Sequence, residues 1–324
     1  AARARANAPA FAAAARNRDG RALDLAVGRR ARNRDGAVTT SDRWHLGSIS
    51  KSMTATLIAQ AVEAGEIRWE EEAGAVLGVP DAPCAKATFL HLLSHRAGLQ
   101  ANLPTPRLFT AYRRYNDQPL EERRAFAREA LALPAAGPME ETFLYSNNGF
   151  VIAAAMLEAR TGAPWEELIR TRLFAPLGME SAGFGPPGTA GAFDQPMGHT
   201  ALGIAQPPGG QHSDNVAALG PAGRVHASLD DLLKFAAAHR DRAALLRGES
   251  WDRLHAPPFG GQYALGLLRR GESLWHNGSN TLWYAEMIID RARGVVAAVA
   301  ANRAGNLIEP AIGESLVSAV AAVA

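Results

Sequence analysis

The chain has 324 residues, 47% of them hydrophobic and 20% charged, with a formal net charge of +2. That is enough apolar material for a sizeable core, in one large domain or two intimately packed ones. The pI of about 8.9 is mildly basic, but no dense Lys/Arg block carries interleaved aromatics, so no nucleic-acid partner is expected. The arginine-rich stretch 107–114 and the Arg123/Arg124 pair read as solvated helix faces.

Cys84 is the only cysteine, which excludes an internal disulfide and leaves the redox compartment open. No stretch approaches the ~20 apolar residues of a membrane span. Residue 1 is Ala rather than Met, which reads as a processed or trimmed N-terminus with any signal peptide out of view. Lysine is scarce, occurring only at Lys51, Lys86 and Lys234. Arginine cannot lose its proton near neutral pH, whereas a buried lysine can.

In chain order, Asp19-Gly20 and Asp35-Gly36 are hairpin signals, because Gly accepts the positive φ of a tight turn. They predict strand, turn, strand, turn, strand over residues 11–43. Residues 50–63 carry Met53, Leu57, Ile58, Ala61 and Val62 at helical spacing, and Gly65 is a natural stop. Further helices are expected at 88–94, 120–131, 148–161 and 165–174. Residues 183–210, dense in Gly and Pro, read as a loop crossing the surface. Strands are expected at 263–269, 273–276, 283–290 and 294–301, and a last helix at 308–323. Strands at both ends with helices between predict an α/β fold of α+β type. An antiparallel sheet built from both termini and flanked by helices would form one lobe (1–65 and 221–324), and residues 66–220 an inserted, mostly helical lobe. The cleft between the two is the expected site.

Three segments carry chemistry. Ser48 lies at the opening of the first helix, at the positive end of its dipole. Lys51, three residues on, shares its face. A serine hydroxyl needs a base to take its proton, and a lysine in a dry cleft loses its charge readily enough to serve. Taken alone, Ser48 reads equally well as a plain N-cap. Tyr145-Ser146-Asn147 precedes the helix at 148; a tyrosine beside an ammonium can be acidified and act as a second shuttle, or it can simply pack. Trp275-His276-Asn277-Gly278-Ser279 lies on a strand, where Gly marks either close approach of a ligand or a bulge. Such an edge can offer a backbone N–H to a developing oxyanion.

Together and in this order, the three segments resemble the serine β-lactamase and penicillin-binding protein superfamily, with its Ser-x-x-Lys, Tyr-x-Asn and Lys/His-x-Gly motifs. The tyrosine resembles the branch of class C β-lactamases, DD-peptidases and β-lactamase-like esterases. The resemblance extends to Met53-Thr54-Ala55-Thr56-Leu57, to Leu92-Leu93-Ser94-His95-Arg96-Ala97-Gly98-Leu99, to Pro176-Leu177-Gly178-Met179 and to Gly220-Pro221-Ala222-Gly223. It implies a β-lactamase/transpeptidase-like fold from residue 11 to the end. It implies that Ser48 is acylated, that Lys51 and Tyr145 shuttle protons and that Asn147 positions the substrate. The N–H groups of Ser48 and Ser279 would form an oxyanion hole beside Gly278. His95 is expected to be structural, and His45 receives no role.

His276 departs from the β-lactamases, which usually carry Lys there to attract the substrate carboxylate. A largely neutral imidazole facing the substrate weakens the attraction for an anionic β-lactam. The expected activity is a serine hydrolase acting on a small-molecule ester or amide. A true class C-like β-lactamase or D-alanyl-D-alanine carboxypeptidase, and a catalytically silent penicillin-binding protein, are the alternatives. No metal is implied, because the histidines lack ligand spacing, and no Gly-rich loop suggests a nucleotide, so no cofactor is expected. The resemblance suggests a periplasmic or secreted protein. Oligomeric state is left open.

Overall fold

In the computed structural model, which describes residues 2–108, 119–210 and 213–324, Asp19-Gly20 does turn a hairpin. Gly20 takes φ +86°, Asn17 N–H donates to Arg21 O, and β1 (Ala10–Asn17) pairs antiparallel with β2 (Ala22–Gly28). Asp35-Gly36 does not extend it. Arg29 and Ala37 make only an isolated bridge. The Asp42 carboxylate then gathers the Arg30 guanidinium and the Thr39 N–H, folding the segment into a loop. The third expected strand shrinks to β3 (Arg43–His45) and joins a different, three-stranded sheet.

Helix α1 (Ser50–Glu63) has the expected bounds and ends before Gly65, whose φ is +73°. It is buried around most of its circumference, from Ser50 through Ala59. Helix α2 (Phe89–Leu93) starts at a Thr88 cap, α3 spans Pro119–Ala132, and α4 (Asn147–Thr161) starts at a Ser146 cap. The helical stretch at 165–174 begins as an α-helix and ends in a π-turn from Arg170.

Arg123 corrects the expectation of a solvated pair. It is fully buried, with Nη1 on Glu158, Nη2 2.5 Å from Glu166 Oε1 and Nε on Ala218 O. A guanidinium fork can be buried when carboxylates and carbonyls saturate it, and α4 supplies Glu158 to α3 for that purpose. Arg124 is exposed as expected. Of the 107–114 stretch, Arg107 pairs with Glu129 at 2.6 Å, and 109–114 lie outside the described residues.

The 183–210 segment is mostly irregular, with short pieces β4 (Gly183–Phe184), β5 (Gly198–His199) and β6 (Ala205–Gln206). It does not simply cross the surface. His199 is buried: its Nε2 accepts the Arg32 N–H at 3.1 Å, so Nδ1 carries the proton donated to Asn302 O at 2.8 Å. Strand β7 (Val225–Ser228) lies between β3 and β4, and helix α5 (Leu229–Asp241) follows directly.

The expected strand at 263–269 is mostly a turn. Ala264 N–H donates to Leu267 O, and Gly266 has φ +77°, with Lys51 O 2.8 Å from where a Cβ would sit. Tyr263 makes an isolated bridge to Leu268, and only β8 (Leu268–Arg270) pairs as a strand. Strands β9 (Ser273–Ser279), β10 (Tyr284–Asp290) and β11 (Val295–Ala301) follow, then helix α6 (Ile308–Val323). The six-stranded sheet runs β2-β1-β11-β10-β9-β8 with antiparallel neighbours, so β1 and β11 bring the two ends of the chain together. This is the antiparallel sheet flanked by helices that the sequence predicts. One apolar core links one sheet face to α1, α2 and α4; a smaller one, with Phe11, Tyr284, Val299 and Ile312, seals the other face against α6. Among the described residues, no helix is long and apolar enough to cross a membrane.

Candidate active site

The site begins with a turn that only glycine permits. Leu46 N–H donates to Val225 O, tying the end of β3 to β7, and Gly47 then takes φ +50°. A Cβ on Gly47 would fall 2.3 Å from Ser279 N. Ser48 therefore sits in a short 3-10 turn, Gly47–Ile49, just ahead of α1 rather than in its first α-helical turn. Ser50 locks the turn, its hydroxyl donating to Gly47 O and accepting the Val225 N–H.

Lys51 follows on the same face, 0% exposed, with Nζ 3.1 Å from Ser48 Oγ, 2.7 Å from Asn147 Oδ1 and 2.6 Å from Ala222 O. Burial drives its ammonium well below the usual lysine range. Among the described residues no carboxylate contacts it; its partners are neutral oxygens.

Asn147 opens α4. Its Nδ2 donates to Asn102 Oδ1 at 2.8 Å, which leaves Oδ1 for Lys51. Tyr145 lies two residues upstream, its ring centroid 4.8 Å from Lys51 Nζ and its hydroxyl beside Ser48. The acidified tyrosine expected from the sequence is not found. Burial raises the phenol and outweighs the opposing effect of Ser48, so Tyr145 keeps its proton. His95 holds it in place. The His95 carbonyl accepts the Leu144 N–H, Nδ1 accepts the Ser146 N–H at 3.0 Å, and the imidazole lies 4.2 Å from the Tyr145 ring.

Strand β9 forms the opposite wall. A Cβ on Gly278 would meet Leu46 O at 2.0 Å and Ser48 N at 2.5 Å. The close approach that this glycine permits is thus by the Ser48 turn, not by a ligand. Ser279 is exposed and lines the cleft. His276 does not face a substrate. It is 1% exposed, with Nε2 2.8 Å from Tyr263 Oη and Nδ1 on Asn277 O. Burial, reinforced by Lys51, holds its pKa down to about 3. The cleft has a volume of about 310 Å³ and is bordered by Ser48, Asn102, Asn147, Asn215, Ser279 and Asn280, with Leu108 and Leu219; no charged side chain borders it among the described residues.

A family profile described as Beta-lactamase matches residues 1–320. The chain belongs to the β-lactamase family. Penicillin-binding protein 4 of Amycolatopsis lactamdurans is 32% identical over 228 residues, 69% of this chain and 57% of that protein. The chain thus spans little more than half the length of that relative. A solved penicillin binding protein from Bacillus halodurans superposes with a TM-score of 0.81 at 18% identity, covering 98% of this chain and 97% of that one. D-amino acid amidase from Ochrobactrum anthropi, solved with L-phenylalanine, gives 0.76 at 22% identity, covering 97% and 93%. Both likenesses are likenesses of fold.

Within this β-lactamase-family frame, Ser48, Lys51, Tyr145 and Asn147 meet in one cluster, and Ser279 faces them across the cleft. Sequence reasoning missed three contributors. Tyr263, inside an expected core strand, occupies His276. His45 receives the Gly47 N–H on Nδ1 at 3.1 Å. Asp214, buried beside the cleft, touches both His45 and Asn280. No local motif marks any of them: Asp214 meets His45 and Asn280 from far along the chain, and the nearer partners of Tyr263 and His45 are set by the turns between them.

Proposed function

We propose that this chain is a serine hydrolase that cleaves small neutral esters or amides through an acyl-enzyme on Ser48. The observation that carries the reading is the surroundings of Lys51 Nζ. A neutral amine has two N–H donors and one lone pair. The carbonyl oxygens of Asn147 and Ala222 take both donors, which leaves the lone pair for the Ser48 hydroxyl 3.1 Å away. Burial favours that uncharged form.

In the reaction, the Ser48 proton moves to Lys51 Nζ as Oγ attacks the substrate carbonyl. The N–H groups of Ser48 and Ser279 receive the oxyanion; one such donor is worth ~3 kcal/mol in a transition state. Tyr145, still protonated, gives its proton to the leaving alkoxide or amine and is reprotonated from Lys51. Water then attacks the acyl group with the same groups in reversed roles, and Ser48 recovers its proton. The reading includes a sheet lobe of 1–65 and 221–324 and a helical lobe of 66–220, because the cleft draws residues from both. By family resemblance it also includes an exported location.

The cleft, amide-rich and uncharged among the described residues, supports neutral substrates over anionic β-lactams. Similarity to a protein named for penicillin binding supports testing the second reading beside it. The test is intact-mass analysis and turnover with a p-nitrophenyl ester and, separately, benzylpenicillin, on wild type and Ser48→Ala. Expected are fast ester turnover and an acyl adduct in the wild type only. Ester turnover by Ser48→Ala at the wild-type rate would overturn the reading; efficient penicillin turnover would favour the β-lactamase.

A further inference from the structure

The two proposed oxyanion donors come from segments more than two hundred residues apart, and neither can shift without disturbing the other. Gly47 and Gly278 interlock so tightly that a Cβ on either would strike the backbone nitrogen of the opposite donor, Ser279 N or Ser48 N. Something must keep the turn and the strand end in register, and one buried carboxylate touches both sides.

Asp214 Oδ1 lies 2.9 Å from His45 Nε2, off the straight line of the N–H, and accepts Asn280 Nδ2 at 2.9 Å. The His45 tautomer follows from its other nitrogen. Nδ1 accepts the Gly47 N–H, so the ring proton sits on Nε2, in polar contact with Asp214 but too far off line for a hydrogen bond. The carboxylate therefore reaches Ser48 through His45 and Gly47, and Ser279 through its chain neighbour Asn280. The Asn280 side chain also caps the turn beyond the strand, its Oδ1 accepting the Leu282 N–H. Two further donors tie the carboxylate down: Oδ1 also takes the Asn215 N–H and Oδ2 the Arg224 Nε at 3.1 Å. Although burial opposes its charge, the pull of His45, Arg224 and Asn280 holds the carboxyl at about 2, so it is anionic throughout the working range.

We propose that Asp214 is a positioning residue that braces both halves of the oxyanion hole at once, through His45 to the Ser48 turn and through Asn280 to the Ser279 strand end. The inference rests on the acyl-enzyme reading above and adds to it the residue that aligns the two donors. A purely structural ion pair would predict something different: fewer folded molecules, each with normal chemistry.

The deciding experiment compares wild type, Asp214→Asn and Asn280→Ala with a p-nitrophenyl ester and with phenylboronic acid, whose tetrahedral adduct on Ser48 imitates the oxyanion. Rates are normalised to active sites counted from the ester burst, which removes any loss of folded protein. Asp214→Asn keeps the shape but replaces one acceptor oxygen with a donor. Expected is a ~10–100-fold fall in kcat, less than the loss on deleting a donor outright, with an equal fall in boronate affinity and KM within about twofold. Asn280→Ala cuts one branch and moves kcat and boronate affinity the same way by a smaller factor; it carries the test if Asp214→Asn does not fold. The double variant should lose less than the product of the two single effects, because both act through one brace. Folded variants with normalised kcat and boronate affinity within about twofold of wild type would overturn the proposal. If the wild type itself forms no boronate adduct, or Ser48→Ala binds the boronate as well, the acyl-enzyme reading fails first and this inference with it.

Discussion

Tyr263 Oη and His276 Nε2 lie 2.8 Å apart, and this hydrogen bond determines what β9 presents to the site. Asn277 O can only accept, so Nδ1 of His276 carries the ring proton and Nε2 receives the Tyr263 hydroxyl. The imidazole is spent on its neighbours and stays neutral, behind Tyr145 rather than in the cleft.

A lysine at 276 would therefore not act as a carboxylate anchor. His276→Lys would bury a cation beside the neutral Lys51, with no carboxylate among the described residues to pair it. Expected is a loss of several kcal/mol of stability and of activity toward esters and β-lactams alike. The measurements are denaturant unfolding and kcat/KM on both substrates; a selective gain for β-lactams would show that the side chain reaches the cleft. Tyr263→Phe is the milder companion. It leaves Nε2 of His276 without its donor and should cost ~1–3 kcal/mol of stability.

Lys51→Arg should be nearly as damaging as Lys51→Ala. Arginine keeps the charge but cannot offer a lone pair at working pH. The acylation rate of an activated ester, followed by stopped flow, should fall by ~10²-fold or more in both variants, in line with loss of a general base. If Lys51→Arg retained most of the acylation rate, Lys51 would act by charge alone. Because burial lowers the lysine pKa, activity should fall only on acidification, as the free amine is titrated away.

Gly278→Ala should disable the site with the fold largely intact. Its methyl would sit 2.0 Å from Leu46 O, and relief requires pushing the Ser48 turn away from β9. Overpacking of this kind costs ~1–3 kcal/mol, while an oxyanion donor out of place costs ~10²–10³ in kcat. Circular dichroism and burst-normalised kcat separate the two effects. An alanine variant with wild-type kcat would mean that the turn does not depend on this contact.

Acid should unfold the protein early. His95, His226, His239, His255 and His276 are all held below the usual histidine range, chiefly by burial; His226 stands at about 4, and His255 and His276 at about 3. The unfolded chain binds protons at these sites from about pH 6.5 downward while the folded chain does not. Stability is therefore unaffected above that pH and falls below it, until each folded pKa is reached. The slope is ~1.4 kcal/mol per pH unit for each histidine in its window. Urea unfolding at pH 7.5 and 5.5 should show a marked drop; equal stability would mean that these rings are solvated.

The sequence alone determined whatever is written in neighbouring residues. Helices α1 and α6 appear with the expected bounds because apolar spacing and a stop signal are local properties. The Asp19-Gly20 hairpin, the sheet shared by both termini and the meeting of Ser48, Lys51, Tyr145 and Asn147 were also legible, the last through motifs in fixed order. Strand β1 shows the limit of this. Its Ala10, Ala12, Ala13, Ala14 and Ala15 have little intrinsic strand preference, and the turn after it and the pairing with β11 make it a strand. What only the tertiary structure decided were the partners. Arg123 looked like surface until Glu158 and Glu166 enclosed it, His276 like a substrate contact until Tyr263 engaged it, and Asp214 carried no signal at all. A side chain's charge, exposure and hydrogen bonds are set by residues that folding brings beside it from far along the chain, and no local pattern encodes that neighbourhood.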